Sequence, residues 1–272
     1  MPDRITSISF IGSGNVAYGL GMAFKRKVKI KYVLSKNLEN ATALARKLKA
    51  KSTTEINDLF DSDCVIMAVP DAVINDLASE WANNLKGYSG LPPTLVHTAG
   101  NVSINALQGL EITFPCGVFY PLQTFTYGRR LSIKDVPIFI STQDGQLGDS
   151  LLELASKIST KVYHIKDELR SQLHLPAVFI NNFVNHLILK SEELMRNNEL
   201  PLDYFMPLLE ETIKKAKSLG AKASQTGPAR RNDRVTIEHH LKKLESNQDL
   251  KSFYQLFTES ILKTYHENHR RD

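Results

Sequence analysis

The apolar strand pattern at residues 5–11 (ITSISFI) runs without a spacer into Gly12-Ser13-Gly14-Asn15-Val16-Ala17, and a helical pattern opens at Asn15. No other feature constrains the chain as much. A strand that turns at once into a helix leaves the first N–H groups of that helix facing the turn without partners. In the form G-x-G-x-x-A, the first glycine makes the tight turn and the second lets the backbone approach a pyrophosphate. The small third residue lets helix and strand pack closely. The segment predicts a dinucleotide site built from Gly12, Ser13, Gly14, Asn15 and Val16; the alternative is a glycine turn with no ligand.

The alternation continues through the first half. Strand patterns are read at residues 29–34, 64–69, 94–97, 117–121, 136–141 and 161–165, and helices at 15–27, 38–48, from Asp71 to about Leu85, and at 147–158. Asp71 is expected to cap the helix that follows it. Strand, helix, strand, helix at this spacing argues for a parallel sheet covered by helices. After residue 165 the texture changes. Residues 167–197 form a long apolar-rich pattern interrupted only by Pro176, which is expected to kink it near His174. A second helix is read at 202–219, a loop at 226–233, and two more helices at about 235–245 and 250–269. The expected fold is an α/β Rossmann-like parallel-sheet domain, residues 1–165, followed by an all-α C-terminal domain, residues 166–272.

Composition narrows the functional classes. Of the 272 residues, 42% are hydrophobic and 23% charged, as in soluble globular chains. No apolar run approaches the ~20 residues that span a bilayer, so no membrane association is expected. Residues 1–4 show no basic segment before a long apolar one, and Cys64 and Cys116 cannot build a disulfide framework or a four-cysteine zinc site. A cytoplasmic setting without a metal is expected. The net charge of +5 splits into +3 before residue 165 and +2 after it. A nucleic-acid binder concentrates its charge in one patch or arm, so nucleic acid is not an expected partner.

The cofactor type is read from the end of the second strand. An NAD site places Asp or Glu there to accept from the ribose. This chain has Val33-Leu34-Ser35-Lys36-Asn37, and its nearest carboxylate is Glu39. Ser35 and Lys36 are donors suited to a 2′-phosphate, so NADP is preferred; the alternative is a solvated loop lysine. Val69 and Pro70, at a strand end on the ligand side of the sheet, complete the expected cofactor contacts.

Three segments supply candidate chemistry. At the strand ends, His97 can exchange a proton near neutral pH or stand buried on a backbone carbonyl, and Tyr120 can donate a proton or simply pack. On the long helix, Arg170, His174, Asn181 and Asn185 fall within about 60° of one another at ~100° per residue. Asn181 there can hold a nicotinamide amide or substrate, or satisfy an interhelical network. At Thr226-Gly-Pro-Ala-Arg-Arg-Asn-Asp233, Arg230 and Arg231 precede a helix start, where guanidinium forks can take a carboxylate or phosphate. Thr236 follows; the alternative is a basic loop in which Asp233 or Thr236 caps the helix. His266 and His269 are read as surface residues.

The glycine turn, Val69-Pro70-Asp71 and His97-Thr-Ala-Gly100 resemble pyrroline-5-carboxylate reductase, the deazaflavin-dependent NADP oxidoreductases and the wider 6-phosphogluconate dehydrogenase-like superfamily. The chain more closely resembles a bacterial family of Rossmann-like proteins with a helical C-terminal domain of unknown function. The segments that carry this are Tyr120-Pro-Leu-Gln-Thr-Phe125, His174-Leu-Pro-Ala-Val-Phe-Ile-Asn-Asn-Phe183 and Thr226 to Asp233 with His240-Leu241. This chain has Tyr120 and Ala99 where that family often has His and Ser. Ala177 and Val178 stand where β-hydroxyacid dehydrogenases carry a lysine. The resemblance implies a homodimer formed through the C-terminal helices. Together these readings predict an NADP-dependent oxidoreductase moving a hydride to or from a small anionic carbonyl, imine, hydroxy acid or amino acid. His97, His174 and Asn181 are the expected catalytic residues, and Tyr120, Arg230, Arg231 and Thr236 the substrate contacts. The alternative is a non-catalytic NADP-binding sensor or assembly protein.

Overall fold

The structure is a computed structural model that describes residues 4–108, 112–196 and 200–267. Met1 to Asp3, the expected helix end at Asn197, and His269 lie outside them. By internal compactness the chain divides into two units, Met1–Asn182 and Phe183–Asp272. The first unit thus extends past the change of texture at residue 165.

The first unit holds, among the described residues, an eight-stranded sheet in the order β3-β2-β1-β4-β5-β6-β7-β8. The strands are β1 Ser7–Ile11, β2 Lys29–Leu34, β3 Lys51–Thr53, β4 Cys64–Met67, β5 Thr94–His97, β6 Cys116–Pro121, β7 Ile138–Ser141 and β8 Val162–His164. All neighbours are parallel except β6 and β7, which run antiparallel. Strand order reverses between β1 and β4, where open α/β sheets bind their ligands. The short strand β3 went unread in the sequence, because Lys51-Ser-Thr53 has no apolar alternation.

The central strands are apolar at nearly every position because both faces are covered. On one face Ile8, Phe10, Ile66 and Val96 join buried residues of α1 (Asn15–Phe24), α2 (Leu38–Leu48) and α4 (Gly145–Ser156). On the other, Ile11, Val65, Met67 and Leu95 meet α3 (Ile74–Leu85), whose Ile74, Leu77, Ala78 and Trp81 repeat at helical spacing. Asp71 does not cap α3. It opens a 3-10 turn, Asp71–Val73, and makes no capping hydrogen bond; α3 starts three residues later, with Val73 at its N-cap.

The expected long helix is broken into three. Helix α5 covers Asp167–Ala177, a π-helical segment covers Val178–Phe183, and α6 covers Val184–Arg196. Pro176 lacks the N–H that an α-helix needs, and the wider π turn begins two residues after it. In the second unit, α7 (Met206–Leu219), α10 (Arg234–Lys243) and α11 (Gln248–Leu262, continued by a π turn at Lys263–Glu267) match the predicted helices within a few residues, and a short helix that was not predicted, α8 (Ala221–Ser224), follows α7. The expected loop at 226–233 instead contains one helical turn, α9 (Pro228–Arg231). Proline at its first position and left-handed Asn232 at its end, φ 57°, bound it closely. No helix among the described residues is long and apolar enough to cross a membrane.

Candidate active site

The glycine turn takes the predicted form. Gly12 has φ +108°, a conformation only glycine adopts easily, and its N–H donates to Leu34 C=O at 2.8 Å. A Cβ at Gly12 would meet the Ala68 carbonyl carbon at 2.9 Å and its oxygen closer still. A Cβ at Gly14 would meet nothing within 4 Å. One glycine is therefore fixed by the protein, while the other leaves space that a ligand can use. Helix α1 has no side-chain cap and no acidic residue in its first turn, so its leading N–H groups and positive dipole end stay open to an anion.

Two cavities flank this turn. The first, about 370 Å³, is lined by Gly12, Ser13, Gly14, Ser35, Lys36 and Pro70, among others. Ser13 Oγ donates to Ser35 Oγ at 3.2 Å, tying the turn to the end of β2. The same cavity receives Asp76 and Glu80 from α3. These carboxylates were not anticipated, since they lie far along the chain from the second strand. The residues present fit a dinucleotide: an open helix start, a glycine with free space above it, and donors from Ser35 and Lys36.

The second cavity, about 740 Å³, lies within the first unit at the ends of β4, β5 and β6. Its lining includes Asn15 and Val16 from the start of α1, Val69, Asp71 and Thr98 from the strand ends, and His174, Asn181 and Asn182 from α5 and the π segment. Tyr120 and His174 meet here, with Tyr120 Oη and His174 Nδ1 3.3 Å apart. Both lie over Gly100, where a Cβ would stand 2.9 Å from Tyr120 Cζ and closer to His174 Nδ1. Gly100 is thus the residue that permits the pair. Its importance was not legible in the sequence, because Tyr120 and His174 are 54 residues apart. Burial, the largest influence, pushes the Tyr120 phenol up from its ordinary value; Arg170 opposes this and Asp71 adds to it. Tyr120 therefore keeps its proton at neutral pH and is a hydroxyl donor.

Two expected participants do not reach the cavity. His97 is fully buried on β5 and is absent from the cavity lining. Its Nδ1 accepts the Ala99 N–H at 3.3 Å, so the ring is held neutral with its proton on Nε2. Burial first, then the nearby Arg170 guanidinium, push its pKa down to about 4, against smaller upward effects of Asp167 and Ser103. It is a buried strand-end histidine holding a backbone N–H. Arg170, a member of the predicted polar stripe, is also fully buried. It donates to the carbonyls of Ala99 (2.8 Å), Gly100 and Val102, and pairs with Asp167 Oδ1 at 2.7 Å. Asp167 Oδ2 in turn accepts the Ile104 N–H at 3.2 Å. The pair clamps the loop that carries Gly100. Asn185, the fourth residue of the predicted stripe, belongs to α6 in the second unit and is exposed.

In the second unit, Arg230 and Arg231 end α9 and are exposed. The Arg230 guanidinium lies 4.3 Å from the centre of the Tyr265 ring, and its carbonyl faces His266 Nε2 at 3.1 Å. Thr236 donates its hydroxyl to Asp233 Oδ2 at 2.7 Å, and Asp233 caps α10 by accepting the Thr236 N–H at 3.1 Å. The threonine therefore serves the cap.

A glycine turn at the switch point of a parallel sheet, beside a cleft with a phenol–imidazole pair, defines a Rossmann-like dinucleotide-dependent protein. Comparison with known proteins agrees. Residues 7–89 match the family described as NADP oxidoreductase coenzyme F420-dependent, and residues 136–261 match a domain family of unknown function. A crystal structure of a protein assigned as an NADP oxidoreductase from Bacteroides fragilis is 34% identical, with 96% of this chain and 99% of that one covered and a TM-score of 0.86. The chain belongs to the family of that NADP oxidoreductase. Two more distant structures share the fold. The 1-pyrroline-5-carboxylate reductase of Streptococcus pyogenes is 13% identical (96% and 99% covered, TM-score 0.59). An imine reductase of Myxococcus stipitatus in complex with NADP⁺ is also 13% identical (97% and 94% covered, TM-score 0.63). No curated protein sequence matches.

Proposed function

We propose that this NADP-dependent oxidoreductase reduces, or forms by the reverse reaction, a small anionic carbonyl or imine compound, with Tyr120 and His174 moving the proton. The observation that carries this reading is the 3.3 Å contact of Tyr120 Oη with His174 Nδ1 inside the cleft that begins at the dinucleotide turn. NADPH supplies the hydride, as the hard chemistry of such reactions belongs to the cofactor. The chain's own residues position and protonate. Gly12, Ser13, Gly14, Asn15 and Val16 cradle the pyrophosphate, Ser35 and Lys36 meet the 2′-phosphate, and Val69 and Pro70 border the same cavity. Tyr120 donates its hydroxyl proton to the substrate oxygen or nitrogen, and His174 restores it through Nδ1. Asn181 orients the nicotinamide amide or the substrate.

On the second unit by itself, Arg230 and Arg231 at the end of α9 are the proposed contacts for an anionic group; the residue 1–165 segment is assigned to the nucleotide, and the helical remainder to substrate and dimerisation. Dimerisation is supported by the second unit's exposed apolar side chains, which include Leu208 at 67%, Ile213 at 60% and Leu256 at 65%. Apolar surface of this kind marks an interaction face. The test is NADPH and NADH binding by fluorescence, then a screen of keto- and imino-acids for oxidation of the better nucleotide. Micromolar NADPH binding and turnover of one panel member are expected. Failure of both nucleotides to bind below millimolar concentrations overturns the reading, and binding without any turnover favours a non-catalytic NADP-binding protein. Replacing Arg230 and Arg231 with Ala is expected to raise KM far more than it weakens NADPH binding; equal loss of both would remove the clamp.

A further inference from the structure

We propose a second anion site in the first unit, on the flank of α1 away from the dinucleotide turn, that takes a small molecule bearing multiply charged phosphate. A cavity of about 360 Å³ is lined there by Lys25, Arg26, Arg129 and Arg130, with the rings of Tyr18 and Phe125 as walls. The volume lies within the range of small-molecule sites, ~300–1,000 Å³.

Three observations separate this cavity from an ordinary basic surface. First, the four cations come from two distant segments, the end of α1 and the loop after β6, and the fold brings them to one cavity. Among the described residues no carboxylate lines it, and none of the four forms an ion pair with another described residue. Four like charges around one concavity repel one another, and a bound polyanion would relieve this. Second, Arg26 has φ +78°, a left-handed conformation that costs a non-glycine residue roughly 1–2 kcal/mol. Glycine or asparagine would fill that turn more easily, yet an arginine stands there, its side chain part of the cavity. Third, the loop is anchored: Tyr127 N–H donates to Asn15 Oδ1 at 2.9 Å, Arg129 N–H closes a turn onto Thr126 C=O at 3.1 Å, and Phe125 presses against Gly19, where no larger residue fits. The arginines are thus carried on a fixed loop.

The site is distinct from the pyrophosphate turn. Helix α1 has ten residues, so its two ends are ~15 Å apart at 1.5 Å per residue. That exceeds the ~8 Å screening length at physiological salt, and one phosphate group cannot serve both ends. Guanidinium forks bind phosphate oxygens in pairs, and the aromatic walls suit a ligand with a flat or apolar body.

The probe is inorganic pyrophosphate, titrated by calorimetry in 0.15 M salt into protein saturated with NADP⁺, so that the dinucleotide turn is filled. Binding with a dissociation constant on the order of 0.1 mM is expected, weakened at least about tenfold in the Arg129→Ala/Arg130→Ala variant, as for two lost charge-assisted contacts. The Lys214→Ala/Lys215→Ala variant removes the same charge from α7 and is expected to bind as the parent does. Circular dichroism checks that each variant is folded, and Lys25→Ala alone gives a milder second test. Absence of binding, or equal loss in both double variants, overturns the proposal. So does binding of duplex DNA with no response to pyrophosphate. Should NADP⁺ fail to saturate, the same comparison of the two double variants without it still decides, because only one of them alters the cavity.

Discussion

Replacing Gly100 with alanine adds one methyl group beneath the Tyr120–His174 pair. The new Cβ would stand 2.9 Å from Tyr120 Cζ and closer to His174 Nδ1, whereas carbon atoms settle at ~3.5–4.0 Å. The phenol ring must therefore retreat by at least roughly 0.6 Å. The Oη–Nδ1 contact, at 3.3 Å, is already near the upper limit for a hydrogen bond, so this displacement breaks it. His174 is only half-buried and can swing into the cleft, which keeps the packing cost low, about 1–2 kcal/mol. That corresponds to a fall of roughly 2–8 °C in melting temperature for a chain of this size. Positioned general acids contribute about 10²–10⁴-fold to rate, so kcat is expected to drop at least about a hundredfold. NADPH affinity, set mainly at Gly12–Val16 and Ser35–Lys36, should stay within about threefold, or ~0.7 kcal/mol. The assay is NADPH oxidation with the best substrate of the panel, run beside Tyr120→Phe and the double variant. If Gly100 acts through the pair, the double variant is no slower than Tyr120→Phe alone. A Gly100→Ala protein that keeps its kcat, or losses that multiply in the double variant, would refute this reasoning.

Other outcomes follow from the same geometry. Gly12→Ala, with φ +108° and a collision with the Ala68 backbone, is expected to lower the melting temperature sharply, whereas Gly14→Ala leaves it unchanged and loses NADPH affinity at least about tenfold through the crowded pyrophosphate; melting curves and fluorescence titrations separate the two. His97 has a folded-state pKa of about 4 against an ordinary 6.5, so between these values the unfolded chain binds the extra proton and stability falls as pH falls. The loss is roughly 3 kcal/mol across that window; urea unfolding at several pH values should show it, and His97→Gln should flatten the curve there. Arg170→Met removes the guanidinium from the Asp167 carboxylate and from three carbonyls, which costs about 3–5 kcal/mol and is read by the same unfolding method. A drop below about 1 kcal/mol would mean that the loop at 99–102 is held by other contacts.

Much of this protein is written in short-range pattern. Apolar runs buried on both faces, a helix start without a cap, and G-x-G-x-x-A between them determine a parallel sheet with a phosphate-binding turn, because each depends on residues within about one turn or one strand of each other. Strand β2 and helix α2 fall on the residues that the periodicity assigns. The NADP preference was legible in the same way, from the absence of a carboxylate after β2.

What lay beyond the sequence depends on contacts between distant segments. Arg170 and His174 are one helical turn apart and look alike as members of a polar stripe. Only the packing of α5 against the loop after β5 sinks one of them under three carbonyls and leaves the other in the cleft. His97 looked available because it ends a strand, yet its ring turns inward and is held neutral by burial and by the Arg170 charge. The Tyr120–His174 pair, the two carboxylates of α3 near Lys36, and the four cations beside Phe125 were equally invisible. Periodicity fixes which face of an element is apolar, but not which side chain of a neighbouring element meets its polar positions. That meeting depends on the order of strands, the break at Pro176 and the room left by Gly100, which are properties of the packed tertiary structure.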